Sequence, residues 1–147
     1  GKTMSYFSAA TSAPAQERAG DLIDEPVGPA DPVVGWLVCI AGKHFGESFN
    51  IGAGKNSIGR NNDNRIVLSK DNKISRTKHA LITYEPKKRN FYLQPGDSSG
   101  LTYLNEECID ESKKIKMRDI IEIGDSKFIF VPLCDETFSW EDFLPKE

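Results

Sequence analysis

The chain has 147 residues, 38% hydrophobic and 28% charged, with a formal net charge of −3. That length suits one domain with a real core plus an appendage and leaves little room for two. No apolar run approaches the ~20 residues of a membrane-spanning helix, and no charged start leads into an apolar stretch with a small-residue cleavage site, which argues against membrane insertion.

Residues 1–32 read as a flexible acidic tail. Ala9-Ala10-Thr11-Ser12-Ala13-Pro14 and Glu25-Pro26-Val27-Gly28-Pro29 offer few large apolar side chains to offset the entropy of ordering. Lys2 and Arg18 stand against Glu17, Asp21, Asp24, Glu25 and Asp31, so the tail holds the whole net charge of −3 and the rest is neutral.

Residues 33–134 read as an all-β body of short apolar or alternating runs broken by turn residues. Trp36-Leu37-Val38-Cys39-Ile40 and Glu47-Ser48-Phe49-Asn50-Ile51 predict a hairpin, with His44 a solvated turn residue between them. Runs ending in Ile58-Gly59, then at 65–68, 80–84, 90–93, 102–104, 115–117, 120–123 and 127–131, bring the total to about ten strands, the number of a two-sheet sandwich. The inward residues are predicted to include Leu37, Cys39, Ile58, Ile66, Leu68, Leu81, Phe91, Leu93, Ile121, Ile123, Phe128 and Phe130. In residues 135–147, Ser139 and Asp142 have capping-box spacing and Phe138 and Phe143 can staple across the cap, predicting a short terminal helix. Cys39, Cys108 and Cys134, odd in number, far apart and in or beside apolar segments, fit reduced core thiols of a cytoplasmic protein better than a disulfide framework or zinc site.

Gly59-Arg60 and, fifteen residues on, Ser75-Arg76-Thr77-Lys78-His79 place an arginine fork and a serine hydroxyl on successive loops, a pairing suited to a phosphate group. Between Lys55 and Lys78 seven cations face only Asp63 and Asp71, a local net of +5. Nucleic-acid binding through that segment is a lesser alternative, because the segment lacks aromatic residues and the chain is acidic overall. Gly52-Ala53-Gly54-Lys55-Asn56-Ser57 is not a nucleotide phosphate loop: Phe49 stands at the first glycine and Asn56 where Ser or Thr should follow the lysine. Two distant histidines and no paired metal-ligand spacing offer no site for catalysis, metal or cofactor.

In this order, Ile58-Gly59-Arg60, Asn64-Arg65-Ile66-Val67-Leu68, Ile74-Ser75-Arg76 with His79-Ala80, Ser98-Ser99-Gly100-Leu101-Thr102-Tyr103-Leu104-Asn105 and Asp119-Ile120-Ile121-Glu122-Ile123-Gly124 resemble the forkhead-associated (FHA) domain, a β-sandwich that binds phosphothreonine peptides. The resemblance runs from about Gly35 to Cys134. It implies that Arg60 and Ser75 bind the phosphate, Gly59 turns the backbone into the loop and His79 braces that loop. Arg76, Thr77 and Lys78 would add to the phosphate side, and Ser98, Ser99, Gly100, Thr102 and Asn105 to the peptide side. Two departures stand out. Ser75 to His79 spans four residues where the family has three, so Arg76 or Thr77 can stand in the serine's place, and Gly100-Leu101-Thr102 replaces Asn-Gly-Thr.

The resemblance implies a signalling adaptor rather than an enzyme, working with a Ser/Thr protein kinase. Some bacterial FHA proteins that this chain resembles work by a switch in which their own phosphorylated tail is recognised, and the resemblance implies Thr3 and Thr11 as the candidate phosphosites here. A phosphate-independent interaction scaffold is the alternative.

Overall fold

The computed structural model describes residues 32–143, so the acidic tail with Thr3 and Thr11 lies outside the described residues. The expected hairpin forms from β1 (Gly35–Ala41) and β2 (Ser48–Ile51). There follow β3 (Gly54–Gly59), β4 (Ile66–Val67), β5 (Ala80–Glu85), β6 (Asn90–Pro95), β7 (Thr102–Leu104), β8 (Glu107–Cys108), β9 (Lys113–Ile115), β10 (Ile120–Ile123) and β11 (Ser126–Pro132). One sheet has the order β2-β1-β11-β10-β7-β8 and the other β4-β3-β5-β6-β9. Neighbours are antiparallel except β3 and β4, which pair in parallel.

The alternation of these strands puts one apolar set from each sheet into a shared interior. Leu37, Ile58, Ile82, Leu93, Ile121, Ile123, Phe128 and Phe130 are fully buried, each worth about 1.5–3 kcal/mol of transfer from water. Phe91 is the hinge of the aromatic packing, 4.7 Å from Tyr84 and 4.8 Å from Phe130 between ring centroids.

Five local expectations need correction. Leu81 faces outward, and β5 buries Ala80, Ile82 and Tyr84 instead. Both phases of Ala-Leu-Ile-Thr-Tyr alternate acceptably, and the phase that stacks Tyr84 on Phe91 buries more; a one-residue slip swaps every side chain between faces. The strand expected at 115–117 ends at Ile115, because the Asp119 carboxylate accepts from Lys116 N at 2.9 Å and Asp119 N donates to Lys116 O, closing a turn that exposes Met117. Cys108 is exposed on the short β8, unlike the buried Cys39 and Cys134.

His44 is buried rather than solvated. Its Nε2 accepts from Lys70 N at 3.1 Å and its Nδ1 is 2.9 Å from Glu47 Oε1, tying the β1–β2 turn to the segment after β4. At the C-terminal end the Phe138 and Phe143 rings meet at 5.4 Å, as expected of the staple, but Ser139 Oγ accepts from Glu141 N rather than from Asp142 N, whose bond goes to the Ser139 carbonyl, so the capping box itself does not form. The turn they enclose, Trp140–Asp142, is a single turn of 3₁₀ helix, and among the described residues there is no α-helix. Nor is any helix there long and apolar enough to cross a membrane.

Candidate functional site

Three connections meet at one end of the sandwich: the β3–β4 loop, the β4–β5 segment carrying Ser75 to His79, and the β6–β7 loop carrying Ser98 to Leu101. The first two are zipped by backbone bonds that prolong the sheet into the loops, Arg60 N to Ser75 O at 3.0 Å and Asn61 N to Arg76 O at 2.9 Å. Arg60 and Ser75 are therefore neighbours, as their sequence pattern required.

The Arg60 side chain is half-buried and its Nε donates to Ile74 O at 3.0 Å. One of five guanidinium N–H donors is thereby used to fix the plane of the group, leaving four to meet an anion. Among the described residues the Ser75 hydroxyl makes no hydrogen bond, while Ser75 N donates to His79 Nδ1 at 2.9 Å. The Thr77 hydroxyl donates to the Asp63 carboxylate at 3.0 Å, so of the two hydroxyls on this loop Ser75's is the one available. Arg76 and Lys78 are exposed at the rim, Lys78 with a left-handed φ of 50° that turns the chain back into β5.

His79 is buried. With Nδ1 accepting from Ser75 N, Nε2 carries the proton and donates to Leu101 O at 2.7 Å, which joins the β4–β5 segment to the β6–β7 loop. Gly100 lies directly over this ring. A Cβ there would fall 2.4 Å from His79 Cε1 and 2.7 Å from Ser75 Oγ, so the position where the family carries asparagine has no room for a side chain. Ser99 is exposed and Ser98 Oγ accepts weakly from Gly100 N at 3.4 Å, leaving both hydroxyls on the open side of the site.

Two predicted site residues are not brought to the others. Thr102 is fully buried, with its Oγ1 unpartnered inside the sandwich, so its side chain supports the loop and cannot touch a peptide. Asn105 is at the far end of β7, in the two-residue turn to β8, where its amide bridges Asp119 Oδ1 at 3.2 Å and Ile120 N at 2.9 Å.

Sequence reasoning missed two organisers. Asn64 belongs to a run of Asn and Asp that reads as a flexible loop, yet it is buried; its Nδ2 donates to Asn61 O and Arg76 O, each at 2.8 Å, and its Oδ1 accepts from Lys78 N at 2.9 Å. It is the cross-brace between the first two loops. The Asn64 amide also explains Gly59, whose Cβ would lie 2.5 Å from Nδ2. Asp71 is likewise buried and accepts from Ser126 Oγ at 2.6 Å and from the Lys73 and Asp125 amides at 2.9 Å each, fixing the β4–β5 segment to the β10–β11 turn. Burial pushes its carboxyl upward, but the Ser126 hydroxyl and the two amides outweigh that and hold it below the usual aspartate range. A buried polar residue inside a polar loop leaves no periodic signal, which is why neither was legible.

Among the described residues no group of three His, Cys, Asp or Glu side chains is placed to hold a metal ion. The family model of the FHA domain matches residues 56–124. A search of curated proteins returned no match. Among solved structures, an FHA domain studied for phosphothreonine-dependent interactions is 25% identical, covering 66% of this chain and 94% of its own, with a TM-score of 0.57. EmbR of Mycobacterium tuberculosis, solved with a low-affinity phosphopeptide, is 29% identical with a TM-score of 0.58, covering 73% of this chain but only 26% of EmbR. The FHA domain of an Arabidopsis thaliana hypothetical protein is 28% identical with a TM-score of 0.60, covering 78% of this chain and 98% of its own.

Proposed function

The chain carries an FHA domain, and on that premise we propose that it is a non-catalytic adaptor that binds phosphothreonine peptides through Arg60 and Ser75. The observation that carries the reading is the state of those two side chains: a guanidinium fixed through Nε with its other donors unspent, beside a hydroxyl making no bond among the described residues. A dianionic phosphate meets both, with Arg76 and Lys78 adding charge at the rim and Ser98 and Ser99 facing the peptide. The relatives solved for phosphothreonine-dependent binding and with a phosphopeptide support the same assignment.

Fluorescence anisotropy with a phosphothreonine peptide, its unphosphorylated twin and its phosphoserine twin tests it. Arg60→Ala removes charge-assisted bonds worth about 1.5–3 kcal/mol, a loss of roughly tenfold to a hundredfold in affinity. Binding that ignores the phosphate, or survives Arg60→Ala unchanged, sinks the reading and favours a phosphate-independent scaffold, which the lack of room for a side chain at Gly100 also favours.

The partner is a phosphothreonine protein or the chain's own tail after a Ser/Thr kinase modifies Thr3 or Thr11, in a cytoplasm that keeps the free thiols of Cys39 and Cys134 reduced. Phosphorylation adds about −1.5 to −2 charge, and about thirty residues of random coil would have an r.m.s. reach near 30 Å. Tethering then raises the ligand to roughly millimolar effective concentration. Free-peptide affinity measured before and after kinase treatment, in wild type and in Thr3→Ala and Thr11→Ala variants, tests the switch; unchanged competition throughout removes it.

A further inference from the structure

The connection from Leu68 to His79 contains neither strand nor helix, so its course depends on the groups that accept from its backbone amides. Three side-chain acceptors have been placed: Asn64 at Lys78 N, His79 at Ser75 N and Asp71 at Lys73 N, the last also pinning the connection to the β10–β11 turn. A fourth is His44, a buried residue of the β1–β2 turn.

A backbone N–H can only donate, so His44 Nε2, 3.1 Å from Lys70 N, presents its lone pair there. The ring proton is then on Nδ1, which donates to Glu47 Oε1 at 2.9 Å. Burial pushes the Glu47 carboxyl up, but the Lys70 ammonium at 2.7 Å and the His44 ring outweigh that and hold it below the usual glutamate range. Lys70 is therefore gripped twice, through its backbone by His44 and through its side chain by Glu47. The turn that offers both groups is itself closed by Glu47 N donating to His44 O at 2.9 Å, and the Phe49 ring packs against the imidazole at 5.5 Å between centroids.

From Lys70 one tight turn leads to the arginine of the site. Asp71 O accepts from Ile74 N at 3.1 Å, and Ile74 O accepts from Arg60 Nε at 3.0 Å. The carbonyl that sets the guanidinium plane thus belongs to the turn at residues 70–74. The Asp71 carboxylate gives that turn one anchored point, and a turn held at one point can pivot about it. The Lys70 amide on His44, one residue upstream, is the second point and removes the pivot.

We propose that His44 is a positioning residue for the phosphate site: by holding Lys70 N it orients the turn at 70–74 and so sets where Ile74 O holds the Arg60 guanidinium. Its effect on binding rests on the phosphothreonine reading, whereas its effect on Arg60 does not.

The Arg60 Nε–H signal in proton–nitrogen NMR spectra reads the bond to Ile74 O directly. In the wild type it should be resolved and slow to exchange with water. His44→Asn keeps a donor near Nδ1 but has no acceptor in the place of Nε2. It should broaden that signal and weaken a phosphothreonine peptide roughly threefold to tenfold in fluorescence anisotropy. His44→Gln, whose longer side chain brings an amide oxygen to the place of Nε2, should restore both. Val34→Ala, a buried truncation at the start of β1 and so at the end of the sandwich away from His44, controls for lost stability alone and should move neither. Glu47→Ala, at a half-exposed position, removes the acceptor that keeps the proton on Nδ1 and should broaden the Arg60 signal likewise; it decides the matter if the asparagine protein fails to fold. An Arg60 signal unchanged in these two variants overturns the proposal. So does one that broadens equally in Val34→Ala, or a glutamine protein as weak as the asparagine protein. A wild-type chain that ignores the phosphopeptide refutes the phosphothreonine reading instead, and the Arg60 signal still decides the role of His44.

Discussion

Gly59 and Asn64 should be coupled, and a double-mutant cycle measures by how much. Gly59 has no left-handed φ, so its need for glycine is wholly the space taken by Asn64: a Cβ at 59 lies 2.5 Å from Nδ2 and 2.7 Å from Cγ and Oδ1. In Gly59→Ala the Asn64 amide must shift, forfeiting its bonds to Arg76 O and from Lys78 N, about 1 kcal/mol net each. The reduced freedom of alanine in the unfolded chain returns about 0.4–1 kcal/mol. The net loss is then about 1–1.5 kcal/mol on these terms. Asn64→Ala alone leaves buried backbone groups unpaired and should cost about 2–4 kcal/mol. In the Asn64→Ala background the space is empty, so Gly59→Ala becomes neutral or slightly stabilising.

The predicted interaction energy is thus about −1 to −2 kcal/mol, beyond the ~0.5 kcal/mol scatter of independent sites. Urea unfolding followed by Trp fluorescence is the assay, and at a slope of about 1–3 kcal/mol/M the Gly59→Ala midpoint falls by about 0.3–1.5 M in the wild-type background only. Additive losses would falsify the argument that Asn64 is what excludes a side chain at 59.

The Asp71 carboxyl sits lower in the folded chain than in the unfolded one, so its stabilisation is present above the unfolded value near 3.9 and is lost as pH falls through the lower folded value. The urea-midpoint gap between wild type and Asp71→Asn should therefore narrow below about pH 4, and a gap that widens on acidification contradicts the assignment. Glu106 holds φ 74° beside Asn105 at 50° in the two-residue β7–β8 turn, where a type I′ turn prefers glycine, so Glu106→Gly should raise stability by about 0.5–1 kcal/mol in thermal melts. Gly100→Asn, which restores the family's residue, should not improve phosphopeptide affinity, because its Cβ meets the His79 ring at 2.4 Å and costs about 1–3 kcal/mol of stability. A tighter complex at unchanged melting temperature would show that the β6–β7 loop yields easily.

Much of the architecture was legible because it depends on alternation and turn residues. The β1–β2 hairpin, the inward set of β10 and β11, and the adjacency of Arg60 with Ser75 all follow from a period of two interrupted by Gly, Asn and Asp. What escaped has a different physical origin. Leu81 was assigned to the wrong face because both phases of β5 are apolar enough, and only the stacking of Tyr84 on Phe91 decides between them. His44, Asn64 and Asp71 are polar residues in polar loops, and they are buried because backbone amides brought from distant parts of the chain need acceptors. Such residues are set by tertiary register, which local pattern does not carry. Thr102 and Asn105 were grouped with the site by the family resemblance, but a strand separates its two ends by one residue rise at a time, and three residues suffice to take Asn105 away from the loops.

The two halves of the site are built with unequal rigidity, and this bears on how the proposed function would be used. On the phosphate side, Arg60 is fixed by Ile74 O, its loop is braced by Asn64 and by His79, and Asp71 anchors the segment that feeds Ser75 into place. Little ordering remains to be done when a phosphate arrives, which favours affinity for the charged group itself. On the proposed peptide side the asparagine position is closed by His79 and Ser75, leaving the half-buried Ser98 and the exposed Ser99 to find a peptide backbone. One lost side-chain bond of about 1–1.5 kcal/mol weakens a free peptide roughly tenfold. A tethered ligand at millimolar effective concentration tolerates that weakening. The geometry therefore suits a ligand delivered at high local concentration over one captured from dilute solution, and the ratio of tethered to free affinity is the quantity in which that difference would be read.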